Sequence, residues 1–146
     1  MKRTFIIIAS MVLSLFAFTS CNKDELEISK ENVLGQWAED YSGYPDFATE
    51  GYATYTFKAD GKVDIHFYDA FAGESDKHGT YTVAEDYGDG KDVLALYIEK
   101  SDYLDEYSEY YRIVKLTKNV MEWQRVGTTF SKGTVGSDFK CFVRRE

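Results

Sequence analysis

The chain has 146 residues, 44% hydrophobic and 16% aromatic, with 25 acidic against 17 basic side chains and a formal net charge of −8. That length accommodates one domain with a single core and a short appendage. The acidic balance argues against nucleic acid as a partner and against adsorption to anionic lipid.

The first element is a targeting segment. Lys2 and Arg3 precede an apolar run over residues 5–18 (FIIIASMVLSLFAF), the n-region and h-region of an export signal. The run is shorter than the ~20 residues a spanning helix needs. It has basic residues on its N-terminal side alone and no 3.6-residue stripe for a buried helix. It closes on Phe18-Thr19-Ser20-Cys21, which resembles the lipobox of bacterial lipoproteins. The resemblance implies a lipoprotein signal peptide over residues 1–20, cleaved before Cys21. It also implies acylation of Cys21 and membrane attachment through that lipid (palmitate among its chains).

Asn22-Lys23-Asp24-Glu25 resembles the acidic export tag that follows the acylated cysteine in surface-exposed lipoproteins of the Bacteroidetes. This implies a cell-envelope location, at the outer membrane and on its surface. The same residues also read as a solvated linker, or as a helix start with Asp24 and Glu25 near the positive end of the dipole. Residues 21–32 are polar enough for a tether, and residues 24–32 are long enough for two helical turns. Cleavage removes Lys2 and Arg3 but no acid, leaving 25 acidic against 15 basic residues.

From residue 33 to residue 146 the sequence is punctuated β-structure with a single proline, Pro45. Short runs rich in Val, Ile, Thr, Tyr, Phe and Trp predict strands at Val33–Glu39, Tyr52–Lys58, Lys62–Asp69, Gly79–Ala84, Asp92–Glu99, Tyr110–Leu116, Val120–Val126 and Ser137–Arg145. In KVDIHFYD, Val63, Ile65 and Phe67 share one face and Asp64, His66 and Tyr68 the other. Such alternation marks antiparallel sheet with one buried face. Ala59-Asp60-Gly61, Gly88-Asp89-Gly90 and Thr117-Lys118-Asn119 are hairpin signals. Longer links over 40–51, 70–78, 100–109 and 127–136 alternate with them and gather at one end if the strands run up and down. Eight such strands escape exposed edges by closing into an up-and-down barrel, wide enough to fill itself or to hold one small ligand.

Gly35-Gln36-Trp37 at the start of the first strand is the G-x-W of lipocalins and their calycin relatives. With YTFKADGKV, GTYTV, YYRIVKLTKNVMEW and the terminal FVRR, the chain resembles the lipocalin-like domains of Bacteroidetes lipoproteins. The resemblance implies that Trp37 closes the barrel floor and that Arg144 or Arg145 packs across it. The chain departs from the lipocalins at their second motif, T-D-Y. Ser101-Asp102-Tyr103 is similar but lies one connection too early.

Few residues suggest chemistry. His66 and His78 are the only histidines, and neither has a Cys or second His beside it, so neither a catalytic site nor a metal site is expected, nor any cofactor. Cys141 alternates with Phe139 and Val143 and reads as a small buried hydrophobe. Asp86, Asp89 and Asp92 lack the spacing of a calcium loop and suit a hairpin tip. Ser101–Tyr111 packs four tyrosines and four acids into eleven residues. It is either a recognition loop, with Tyr103, Tyr107 and Tyr110 as docking candidates, or an acidic connection whose tyrosines enter the wall. Phe130, alone in the small-residue loop 127–136, suits a lid or a slack link.

The expectation is a non-catalytic, lipid-anchored protein that binds a small apolar or amphipathic ligand in its barrel. The pocket candidates are Tyr55, Phe57, Ile65, Phe67, Leu96, Met121 and Trp123. The alternative is a protein- or glycan-binding module whose barrel is filled by its own rings.

Overall fold

Alternation of apolar and polar residues becomes eight strands in the computed structural model, which describes residues 24–42, 51–86, 92–126 and 138–146. They are β1 (Gly35–Glu39), β2 (Gly51–Phe57), β3 (Lys62–Asp69), β4 (Gly73–Asp86), β5 (Asp92–Ile98), β6 (Tyr107–Leu116), β7 (Val120–Arg125) and β8 (Phe139–Arg145). Each pairs antiparallel with its sequence neighbours, and β8 pairs with β1, so the sheet closes into an all-β barrel. The single helix described, α1 (Lys30–Val33), is one turn long, capped by the Ser29 side chain. The expected signal segment over residues 1–20, Cys21, the expected hairpin turn at Gly88-Asp89-Gly90 and the expected loop carrying Phe130 lie outside the described residues.

Several boundaries differ from the sequence reading, most of all at the starts of β1, β4 and β6. Val33 ends α1 instead of starting β1, and only one helical turn forms where two were expected. β4 begins at Gly73, so the expected loop over 70–78 is a tight turn followed by strand. Glu74-Ser75-Asp76-Lys77-His78 carries no apolar alternation, but the full length of β3 is available to pair with it, from Asp69↔Gly73 to Lys62↔Thr80. β6 likewise starts early, at Tyr107, because Tyr107↔Ile98 extends the ladder with β5.

The long β4 serves two neighbours: its first half pairs with β3 and its second half with β5. Gly79 sits at the changeover, opposite both Val63 and Ile98. A Cβ there would fall on the Tyr97 carbonyl, so the two strands approach closely only because Gly79 has no side chain.

Val63, Ile65, Tyr55, Phe57, Tyr81, Leu94, Leu96, Ile98, Tyr111, Met121, Trp123 and Phe142 point inward and form one core. Ring stacks tie it together: Trp123 lies 4.2 Å from Phe142 and 5.1 Å, edge-on, from Tyr55, and Phe57 lies 4.8 Å from Tyr81. Offset and edge contacts of this kind add ~0.5–1.5 kcal/mol each beyond burial. A second, smaller cluster of Tyr41, Phe139 and Cys141 lies on the other face of β8. Cys141 is thus a buried thiol, covered from outside the barrel.

Candidate functional site

Two ends of the barrel differ in chemistry, and each can be built from its residues. At the floor, where β1 begins, Gly35 adopts φ +106°, and a Cβ there would stand 3.0 Å from the Arg144 guanidinium. Both facts call for glycine in the G-x-W triplet. The guanidinium lies 4.1 Å above the Trp37 ring. It donates to the carbonyls of Asn32 (2.9 Å), Lys118 (2.7 Å) and Leu34. Burial lowers the Arg144 pKa, although arginine stays charged. The Trp37 indole N–H donates to Val33 at 2.8 Å, so ring and helix hold one another. Of the two terminal arginines, Arg144 covers the ring, while Arg145 is exposed and pairs with Gln36.

Residues 24–34, with 24–32 read from sequence as tether and Val33 and Leu34 as strand, run across this floor. Leu26 donates its N–H to the Leu116 carbonyl at 2.8 Å, and Glu25 bridges to Thr117. Leu26 packs against the main core and Val33 is fully buried within it. A polar stretch is held here because two apolar side chains, spaced seven residues apart, both reach the barrel interior.

At the opposite end the interior becomes charged. Glu39 is opposite Phe142, Lys140 opposite Trp123, Arg125 opposite Tyr111, Glu109 opposite Leu96, Tyr107 opposite Ile98 and Lys77 opposite Ile65. Directly paired residues share a face, so all six belong to the inner face of the sheet. Glu39 and Lys140 form an ion pair of 2.9 Å, with side chains only 5% and 13% exposed. The second Glu39 oxygen accepts the Ala53 N–H at 2.8 Å. Lys77 donates to the Tyr107 hydroxyl at 3.3 Å and lies over that ring. Burial, with Glu39 next in effect, drives the Tyr55 phenol pKa far up; burial and Glu109 do the same to Tyr111. The Trp123 indole N–H is buried and finds no hydrogen-bond partner among the described residues.

The sequence-predicted residues distribute between these layers. Tyr55, Phe57, Ile65, Leu96, Met121 and Trp123 are all buried within the main cluster, and Phe67 is partly buried against it. Tyr103 is 98% exposed beside the half-exposed Leu104. Tyr107 turns inward, and Tyr110 meets Tyr97 edge-on at 6.3 Å on the outer face. Sequence reasoning missed Glu39, Lys77, Glu109, Arg125 and Lys140. The signal was present, since each occupies the inward phase of its strand, but a charge at such a position normally marks the wet face.

It also missed the partners of both histidines. His66 Nδ1 lies 2.7 Å from Asp76, and His78 Nδ1 lies 2.8 Å from Asp64, across the β3–β4 ladder. Asp76 and His78 lie in the part of β4 or beside the boundary that the sequence read as loop. Among the described residues no group of three or more His, Cys, Asp or Glu side chains is placed to hold a metal ion.

Comparison with known proteins returns no protein family, no curated protein and no solved structure that matches the chain. The structure defines the class by its architecture: a closed eight-stranded antiparallel barrel with a ring-filled floor half and a charged inner layer above it.

Proposed function

We propose that this chain is a lipid-anchored envelope protein whose up-and-down, calycin-like barrel binds a small amphipathic ligand without catalysing its reaction. The ligand's polar group meets the charged layer at the loop end, and its apolar part rests on the ring cluster beneath. Acylated Cys21, behind a cleaved signal peptide, supplies the anchor, and the outer membrane is the proposed location.

One observation carries the reading, the largely enclosed Glu39–Lys140 pair on the inner face of the barrel. A buried ion pair adds little stability compared with apolar residues of the same size, because desolvation offsets the attraction. Charges placed on the inner face of a barrel therefore have a use other than holding it together, and recognition of a polar group is the chemistry they offer. The rings of Tyr55, Trp123 and Phe142 lie on the same face directly below.

Native mass spectrometry of the non-lipidated domain purified from its natural host tests this. The expected result is a co-purifying mass that Lys140→Met loses while the domain stays folded; a bare polypeptide mass in the parent protein sinks the proposal. A second reading, docking of a protein or glycan, has one observation in its favour, the 98% exposure of Tyr103 beside Leu104 in an acidic loop. It gains if Tyr103→Ala abolishes a surface interaction that Lys140→Met leaves intact.

A further inference from the structure

From the docking of the N-terminal segment we infer that the tryptophan floor is the membrane-facing end of the barrel. The charged inner layer then opens away from the bilayer, so the ligand arrives from the aqueous side and is not drawn out of the membrane. The inference rests on the anchor reading above. Its geometry is that of residues 24–34 alone.

Asp24, Glu25 and Leu26 are held at the β6–β7 turn by the Glu25–Thr117 bridge, the Leu26–Leu116 hydrogen bond and the packing of the partly buried Leu26 against the core. Cys21 precedes Asp24 by three residues. Three residues reach at most ~11 Å when fully extended. The acyl chains must therefore enter the bilayer within that distance of the β6–β7 turn. The charged layer lies at the other end of strands six to seven residues long, such as β7 and β8. Such strands span ~20 Å, so a tether of that reach cannot bring the loop end to the membrane.

Charge acts in the same direction. Near the loop end, Glu74, Asp76, Asp102, Asp105 and Glu106 are all exposed, with Lys100 among them. An anionic surface repels that end. The floor end mixes its signs: Lys118 and Lys115 line a groove of about 640 Å³ beside the docked segment, together with Asp24 and Glu25. Net acidity excludes binding from solution, but once the chain is anchored it is this uneven distribution that sets which end faces the headgroups.

The test uses the full lipidated chain in phosphatidylethanolamine–phosphatidylglycerol vesicles containing a headgroup nitroxide lipid. Fluorophores are placed on Asn119→Cys at the β6–β7 turn or on Tyr103→Cys in the β5–β6 loop; Cys141 is buried and stays unlabelled. With the two sites ~20 Å apart along the barrel, quenching at residue 119 is expected to exceed that at residue 103 by about threefold or more. Equal quenching, or stronger quenching at residue 103, overturns the orientation. Leu26→Pro removes the N–H that bonds Leu116 and is expected to erase the contrast while the protein still floats with the vesicles. A contrast unchanged in Leu26→Pro overturns the role of the docked segment. Failure of the parent chain to float at all overturns the anchor reading instead, with the barrel itself intact by circular dichroism.

Discussion

Removing the Arg144 side chain tests how the barrel is closed. Arg144→Ala deletes three hydrogen bonds from a charged donor, to Asn32, Leu34 and Lys118, together with the contact over Trp37. Taken singly, each such bond contributes ~1.5–3 kcal/mol, and the ring contact at a partly open site ~0.5–1 kcal/mol. They share one side chain, and the exposed carbonyls regain water, so the sum is an overestimate. We expect a loss of ~3 kcal/mol, a large share of the ~5–15 kcal/mol that holds a domain of this size. At ~4 °C per kcal/mol, Tm falls by ~12 °C. Arg144→Lys keeps the charge but not the planar fork, and is expected to lose ~2 kcal/mol. Urea unfolding of the three proteins at one pH gives the values, provided the m-value is unchanged. A loss below ~1 kcal/mol for Arg144→Ala would refute the view that this residue locks the floor.

Lys140→Met strands the Glu39 carboxylate at 5% exposure and is expected to cost ~3 kcal/mol. Adding Glu39→Gln keeps an acceptor for the Ala53 N–H and should restore most of that loss; a double mutant no more stable than Lys140→Met contradicts the pairing. Gly79→Ala sets a Cβ against the Tyr97 carbonyl and is expected to cost at least ~2 kcal/mol, checked by the urea midpoint. The His66 pKa is raised from its ordinary 6.5 by the hydrogen bond to Asp76. The protonated ring is thus favoured in the folded protein, and its contribution is full below the ordinary value and lost as pH rises through the raised one. An NMR titration should place His66 above 6.5 and Asp76→Asn should bring it down. With burial as the main cause, the Tyr55 and Tyr111 phenols are held un-ionised, so alkaline titration of tyrosine absorbance should leave a fraction that ionises only when the barrel unfolds.

How much of this was legible in the chain depended on whether a signal was local. Alternation in β2, β3, β5 and β7 is strong because most of their inward residues are large hydrophobes, and these strands lie where the sequence reading put them to within a residue at either end. The first half of β4 failed because Glu74–His78 earns its strand from the β3 ladder and not from its own side chains. The floor pair of Trp37 with an arginine rested on a resemblance; which arginine it is follows from register, since Trp37 faces Arg144 across β1–β8. The pairing of charges within the inner layer was illegible for a different reason. Lys140 and Glu39 are 101 residues apart, and nothing in either neighbourhood says that the other neutralises it. Tyr103, Tyr107 and Tyr110 looked alike in sequence and separate only once β6 is given a phase and a starting point.

Closure by β8 has a consequence for the order of events in the life of the chain. Arg144 lies two residues from the C-terminus, yet it ties down Asn32 and Leu34, and β8 supplies one neighbour each to β1 and β7. Until β8 docks, β1 and β7 each have an unpaired edge and the floor has no lock. Because these contacts join residues far apart in sequence, the loop closure they require makes them slow to form, so the barrel is expected to close late in folding, with β8 the last strand to dock.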